Sequence, residues 1–116
     1  MKRQEAEERG RRGEWLAALY LRLTGWRILG RRVKTPRGEV DLVARRGRTV
    51  AFIEVKWRKK AVDLDLAIDN YRLRRVAAAV EAIAHRYARE RDSIRIDVLL
   101  LAPGAWPRHL VNAWQP

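Results

Sequence analysis

Residues 38–56 read GEVDLVARRGRTVAFIEVK, and this stretch constrains the fold more than any other part of the chain. Two runs rich in apolar, β-branched residues flank an Arg-Arg-Gly-Arg segment, a pattern that predicts a β-hairpin. Strands of this kind normally carry valine, isoleucine and similar side chains. Here the runs also contain three carboxylates and a lysine. The charged side chains are Glu39, Asp41, Glu54 and Lys56.

The length of the hairpin loop decides whether these charges lie together. Side chains alternate between the two faces of a strand, so a loop with an even number of residues places all four charges on one face. A two-residue loop at Arg46-Gly47 predicts that Glu39 lies opposite Glu54. Asp41 is then diagonal to Glu54. Because like charges directly opposite each other destabilise a hairpin, we expect a compensating cation.

A divalent metal ion is one such cation. Mg²⁺ binds one or two protein carboxylates together with waters and phosphate oxygens. The sequence predicts Asp41 and Glu54 as metal ligands, with the backbone carbonyl of Val55 as a third oxygen. Lys56 could orient or deprotonate a water, or offset charge on a phosphate. The alternative interpretation is a solvated sheet face that carries ordinary Glu–Lys pairs.

The formal charge of +12 over 116 residues indicates an anionic partner, either nucleic acid or an acidic membrane surface. Codon bias towards arginine in a GC-rich genome is the alternative explanation. Cysteine is absent, which excludes disulfides and thiolate metal sites. The longest apolar runs are too short to span a bilayer, and no secretory signal is visible. We therefore expect a cytoplasmic protein that binds nucleic acid and no membrane.

The remaining pattern predicts one domain over residues 13–116, preceded by a flexible, charged segment of residues 1–12. A long helix between two strands permits a parallel crossover. We therefore expect an α/β fold, a mixed β-sheet flanked by helices in the order α-β-β-β-α-β(-β). Periodicity places the other strands and the second helix at residues 26–34, 70–89, 94–101 and 109–114.

The first helix is expected to begin near Gly13. Glu14 lies beside Ala17 and Ala18 on the helical wheel, and these small residues would let the helix approach the sheet and present Glu14 to the charged face. Alternatively, Glu14 stabilises the positive end of the helix dipole. Large apolar side chains also recur at helical spacing, at Leu16, Leu19, Tyr20 and Leu23.

A family resemblance rests on the segments GEVDLVA…AFIEVKWR and, before them, GEWLAALYL. The chain resembles the YraN-like family from about residue 13 to residue 98. These small bacterial proteins are similar to archaeal Holliday-junction resolvases of the restriction-endonuclease-like superfamily. The resemblance implies a restriction-endonuclease-like core and a homodimer. It also implies that Asp41 and Glu54 hold the metal, and that Lys56 and Glu14 are catalytic.

The sequence departs from the family at Leu73, where a glutamine near the active site is common. Around the predicted metal site, basic residues are expected to hold DNA phosphates. These predicted nucleic-acid-binding residues are Arg58, Lys59, Lys60, Arg72, Arg74 and Arg75.

Three functions remain open from the sequence. The first is a metal-dependent endonuclease that acts on structured or branched DNA with Mg²⁺ or Mn²⁺ on Asp41 and Glu54. The second is a nucleic-acid-binding protein that keeps a nuclease fold with little or no turnover, which Leu73 favours. The third is a basic adaptor that binds an acidic protein and uses its carboxylates only to keep the hairpin soluble.

Overall fold

A computed structural model of the protein describes the backbone of residues 2–58 and 70–114, and the side chains of residues 13–58 and 71–114. Two helices and five strands follow one another in this part of the chain, in the order that the sequence predicts. The elements are α1 (Lys2–Leu23), β1 (Arg27–Thr35), β2 (Gly38–Arg46), β3 (Thr49–Trp57), α2 (Asn70–Tyr87), β4 (Ser93–Leu101) and β5 (Arg108–Leu110).

The strands form one mixed sheet in the spatial order β1-β2-β3-β4-β5. Strands β3 and β4 are parallel, and each other neighbouring pair is antiparallel. Helix α2 lies between the two parallel strands in the chain, as a crossover connection requires. The predicted α/β architecture is therefore confirmed. No helix in the described residues is long and apolar enough to cross a membrane.

Helices cover both faces of the sheet. On one face, α2 packs on a cluster that includes Val43 and Phe52, and its own Leu73 and Ile83 belong to the same cluster. On the other face, α1 packs on a cluster that includes Ile53. Because both faces are covered, charged side chains in the central strands are held away from bulk water.

Two elements differ from their predicted extents. Helix α1 begins at Lys2 rather than near residue 13, so its backbone includes residues 2–12. Strand β5 is short and ends at Leu110, whereas a strand was expected over residues 109–114. Beyond β5 the chain is held by a hydrogen bond from the Ala113 N–H to the carbonyl of Ile96, 2.7 Å long.

The buried face of α1 combines small side chains with one leucine. Ala17 and Leu21 are both 0% exposed, whereas Leu23 is 78% exposed. Small residues let a helix lie closer to the sheet, so the stripe containing the alanines faces the core. Leu16, Leu19 and Leu23 instead line an apolar surface groove shared with Trp57 and Trp106.

The hairpin loop has the predicted even length, but it lies one residue later than predicted. Arg46 pairs with Thr49, so the loop is formed by Gly47 and Arg48. Gly47 has a φ of 62°, a left-handed conformation that glycine adopts without steric cost. The shift changes which charged residues face each other across the strands.

Candidate active site

The observed register places Asp41, and not Glu39, opposite Glu54. The last regular pair of β2 and β3 is Leu42 with Ile53, and the next position along each strand is occupied by these two carboxylates. The predicted pairing of Glu39 with Glu54 is therefore wrong, because the loop lies one residue later. Asp41 and Glu54 instead lie side by side at the edge of a pocket against α2.

Asp41 is held by a backbone contact. The Val55 N–H donates a hydrogen bond to Asp41 Oδ2 over 2.8 Å. The regular pairing of β2 with β3 has already ended at this level, so a side chain takes the acceptor role that a strand carbonyl normally has. The carboxylate is thereby fixed beside the Glu54-Val55 peptide.

The pKa of Asp41 is raised from its ordinary value to about 7. Burial is the main cause, because it disfavours the charged carboxylate. The Val55 N–H opposes this shift, while the negative charges of Glu54, Glu14 and Glu39 add to it. No lysine or arginine in the described residues forms an ion pair with Asp41. Its surroundings therefore favour a cation.

Glu54 and Lys56 form a buried ion pair. Both residues are 5% exposed. Lys56 Nζ lies 3.1 Å from Glu54 Oε1, and an Nη2 atom of Arg72 lies 3.3 Å from the same oxygen. The two residues are two apart on β3, so both side chains project towards α2. Lys56 and Arg72 thus converge on one carboxylate oxygen from a strand and from a helix.

Burial also lowers the pKa of Lys56. The negative charge of Glu54 partly opposes this effect, and the positive charges of Arg72 and Arg58 reinforce it. A lysine whose pKa is lowered loses its proton more readily, which is what general-base catalysis requires. The same side chain, while protonated, can stabilise negative charge on a phosphate.

Glu14 reaches the surroundings of this site from the opposite face of the sheet, on α1. Its Oε2 accepts a bond of 2.5 Å from Nε of Arg32, and its side chain is 18% exposed. The charge of Glu14 acts on Asp41, but its direct partner is Arg32. The structure thus brings Glu14 near the carboxylates without joining it to them.

Arg32 is a residue of this site that the sequence pattern did not reveal. The pairs Arg31–Leu42 and Val33–Val40 bracket it, so it lies opposite Asp41 across β1 and β2. Its φ of 48° is uncommon for a residue other than glycine. This left-handed conformation within a strand has no signature in the local sequence.

Asp41 and Glu54 suit Mg²⁺ or Mn²⁺ better than a metal ion that is coordinated by protein ligands alone. No group of three or more acidic, histidine or cysteine side chains in the described residues is close enough to hold a metal. Mg²⁺ usually keeps several waters and needs only one or two carboxylates. The pocket beside Asp41 and Glu54 has a volume of about 190 Å³. That space suits a partly hydrated ion and a phosphate oxygen.

The predicted DNA-contacting residues are distributed unequally around the site. Arg72 and Arg75 line the pocket, and Arg74 is exposed on the same helix. Arg58 instead donates a hydrogen bond from Nη1 to the carbonyl of Trp57 over 3.0 Å. The other two predicted residues, Lys59 and Lys60, lie outside the described residues.

Leu73 is a core residue and not a polar contact. It is 2% exposed and belongs to the cluster beneath α2. Its neighbour Arg72 points the other way and meets Glu54. A glutamine contact near the carboxylates is therefore absent at this position.

A second buried cluster lies on the α1 side of the sheet, around Asp97. Its carboxylate is 0% exposed and accepts bonds of 3.0 and 2.8 Å from the guanidinium of Arg95. His109 Nε2 lies 2.7 Å from Oδ2, and the Asn112 N–H donates to Oδ1 over 2.8 Å. These contacts join β4 to β5 and to the chain that follows it.

The five-stranded mixed sheet with a helix on each face defines an α/β protein. A solved structure of Hjc, a Holliday junction resolvase from Archaeoglobus fulgidus, is similar to this chain with a TM-score of 0.57 and 22% identity. The match covers 86% of this chain and 73% of that one. At this identity the likeness concerns the fold alone.

The chain belongs to the family described as Uncharacterised protein family UPF0102, whose model matches residues 13–101. It is 71% identical to the UPF0102 protein of Sphingopyxis alaskensis and 68% identical to that of Erythrobacter litoralis, over the full length of all three chains. The UPF0102 protein of Caulobacter vibrioides is 46% identical over 94% of this chain and 88% of its own. The YraN-like family resemblance is thereby confirmed.

Proposed function

We propose that this protein is a metal-dependent endonuclease that acts on structured or branched DNA. The observation that carries the proposal is a pocket lined by Asp41, Glu54 and Arg72, with Lys56 paired to Glu54 beside it. The fold shared with a Holliday junction resolvase supports the same class of substrate. The net charge of +12 favours binding to a polyanion.

Asp41 and Glu54 would hold Mg²⁺ or Mn²⁺, with the Val55 carbonyl as a further oxygen. When bound, the ion supplies a Lewis acid that polarises the phosphate and lowers the pKa of a water. Arg72 and Arg75 bind the phosphate from the α2 side of the pocket. Lys56 accepts a proton from the attacking water or donates a hydrogen bond to the phosphate.

A second candidate function is nucleic-acid binding without efficient turnover. The burial of Leu73 favours it, because no polar side chain at this position can orient a water or a phosphate. Both candidates require DNA binding through the basic residues of α2. They differ only in whether a phosphodiester bond is broken.

Cleavage of labelled DNA separates the two candidates. We expect the wild-type protein to cut a four-way junction in Mg²⁺ or Mn²⁺ and to cut nothing in EDTA. Asp41→Asn removes a proposed metal ligand, so the cleavage rate is expected to fall by at least about 10²-fold. The measurement compares junction, duplex and single-stranded DNA on denaturing gels.

Glu81→Gln is the matched control for this loss of one carboxylate, because the Glu81 side chain is 77% exposed and lies outside the pocket. Its cleavage rate should equal that of the wild type. Binding of the junction without cleavage in any metal would establish the second candidate in place of the first. If the wild type and Asp41→Asn cleave the junction at the same rate, the cleavage comes from a contaminating nuclease.

Leu73→Gln is expected to destabilise the fold without raising the cleavage rate. The position is 2% exposed, so the amide would be buried without a hydrogen-bond partner. The free energy of unfolding should fall by about 2–3 kcal/mol. Leu23→Gln is a control on a side chain that is 78% exposed, with an expected change below about 0.5 kcal/mol. Urea unfolding measures both. An increase in cleavage by Leu73→Gln would show that the site tolerates the glutamine.

A further inference from the structure

A basic groove lies at the end of α2 remote from the carboxylates. Residues from the start of β1, the end of β2 and the last turn of α2 line it, and we refer to it as the distal groove. Its lining residues are Arg27, Leu29, Arg45, Gly47, His85, Arg86, Tyr87, Ala88 and Arg89.

One of these arginines is neutralised within the protein. Arg45 Nη2 lies 2.5 Å from Asp92 Oδ2, and Nη1 lies 3.2 Å from Oδ1. Arg45 and the Arg89 N–H hold the pKa of Asp92 at about 2, so this carboxylate stays charged at neutral pH. Arg45 also donates to the carbonyls of Gly47 and Tyr87, which fixes it as part of the groove wall.

The other three arginines are not paired with a carboxylate among the described residues. Arg27, Arg86 and Arg89 are exposed and form no ion pair with any side chain in the described part of the chain. They come from three different segments: the first residue of β1, the last turn of α2 and the loop that follows it.

Helix electrostatics explains only part of this arrangement. A cation in the last turn of a helix interacts favourably with the helix dipole, which accounts for Arg86. It does not account for Arg27, which is on a strand. Like charges that line one groove repel one another, and a bound anion offsets that repulsion.

The distal groove lies at a defined distance from the carboxylate pocket. Both are lined by α2 and by β2, so both are on the same side of the sheet. Arg86 lies fourteen positions after Arg72 on α2, a distance of about 21 Å at 1.5 Å per residue. Successive base pairs of a DNA duplex are spaced by about 3.4 Å along the helix axis, so this distance corresponds to about six base pairs.

We propose that the distal groove binds the phosphate backbone of the DNA whose scissile phosphate lies at Asp41 and Glu54, about six base pairs along the duplex from that phosphate. The inference rests on the proposed function for its ligand, and it specifies the length of DNA that the protein engages. Phosphate contacts carry no sequence information, so the groove positions the substrate without selecting its sequence.

Arg86→Ala and Arg22→Ala form a matched pair that tests the groove. Each residue is an exposed arginine in the last turn of a helix, so the two substitutions remove the same charge and the same dipole interaction. We expect Arg86→Ala to lower the slope of log affinity against log salt by about 1, and Arg22→Ala to leave it unchanged. The double variant R27A/R86A should lower the slope by about 2 and the affinity about tenfold at about 0.15 M salt.

Fluorescence anisotropy in EDTA, with DNA stem–loops of about 5 and about 15 base pairs, gives the readout. A stem of about 15 base pairs reaches both sites at once, whereas one of about 5 occupies only one of them, so R27A/R86A should weaken binding to the longer stem more than binding to the shorter one. Circular dichroism verifies that each variant is folded.

Equal effects of Arg86→Ala and Arg22→Ala would overturn the proposal, as would a loss of affinity that is the same for both stems. Absence of salt-dependent binding by the wild type would overturn both the groove and the proposed function. Absence of cleavage in every metal, with the length-dependent effect intact, would overturn the nuclease function and leave the groove established.

Discussion

Asp97→Ala is expected to lower the free energy of unfolding by about 3–5 kcal/mol. The carboxylate is 0% exposed, and it accepts hydrogen bonds from Arg95, His109 and the Asn112 N–H. Alanine leaves these donors without an acceptor and leaves a partly buried guanidinium unpaired. Loss of one partner from such a group costs far more than loss of an exposed ion pair.

The Asp97 cluster also determines which part of the protein should loosen. Asn112 and His109 belong to the final segment of the chain, whereas Asp97 and Arg95 belong to β4. Removal of the carboxylate therefore releases β5 from the sheet edge. Hydrogen exchange should become faster at the amides of Leu110 and the residues that follow it.

Guanidinium unfolding measures the loss, and Glu81→Ala supplies the comparison. Arg37 and Glu81 form an ion pair of 3.6 Å in which the side chains are 61% and 77% exposed. Exposed pairs contribute at most about 1 kcal/mol, so this variant should remain close to the wild type. If both variants lose the same stability, the buried cluster contributes nothing specific.

Acid should act on the same cluster. Burial alone would raise the pKa of Asp97, but the bonds from His109, Arg95 and Asn112 together hold it below its ordinary value. A lowered pKa in the folded state contributes stability that is fully present above the unfolded pKa and is lost as pH falls through the folded value. The stability difference between wild type and Asp97→Ala should therefore shrink only in strong acid.

The order of the elements could be predicted because it depends on local patterns. Apolar residues recur with helical spacing along α2, and Leu73, Val76, Val80 and Ile83 are all buried. In α1 the pattern contains two candidate stripes, one of large and one of small side chains. Which stripe faces the sheet depends on how closely the helix can approach it, and sequence periodicity does not encode that distance.

The proximity of the two central carboxylates could be predicted from the sequence, but their contacts could not. Asp41 and Glu54 do lie together, because an even loop keeps both on one face. Asp41 lies directly opposite Glu54 because the loop is Gly47-Arg48 and not Arg46-Gly47. Local propensity does not favour one of these two loops over the other. Arg32 depends on a positive φ within a strand, and its pairing with Glu14 joins residues that are far apart in the chain.

The contacts of Asp97 could not be predicted from the local sequence for a similar reason. The Arg95 and Asp97 pair is adjacent along one face of β4 and could be seen in the sequence. The partner His109 is brought to it only when β5 pairs with β4, with Leu99 opposite His109. Long-range side-chain networks of this kind follow from the completed fold.

Asp41→Asn is expected to make the metal-free protein more stable at alkaline pH. The pKa of Asp41 is raised to about 7, mainly by burial, so ionisation of this side chain destabilises the folded protein. A raised pKa contributes stability that is fully present below the unfolded value and is lost as pH rises through the folded value. Asparagine is neutral at every pH, and its side-chain oxygen can still accept the Val55 N–H.

The gain from Asp41→Asn should be at most about 4 kcal/mol at about pH 8.5 in EDTA and should fall below about 2 kcal/mol at about pH 5. Mg²⁺ should reverse the order, because an ion that binds the folded wild type stabilises it and has no comparable site in the variant. Thermal unfolding at both pH values, with Mg²⁺ or EDTA, measures these effects.

A stability difference that is independent of pH would contradict the burial of a charged Asp41. A Mg²⁺ effect of equal size in both proteins would place the metal elsewhere. The combination of a stabilising substitution with loss of cleavage would show that the carboxylate is retained at a cost to the fold, as expected for a residue that acts in catalysis.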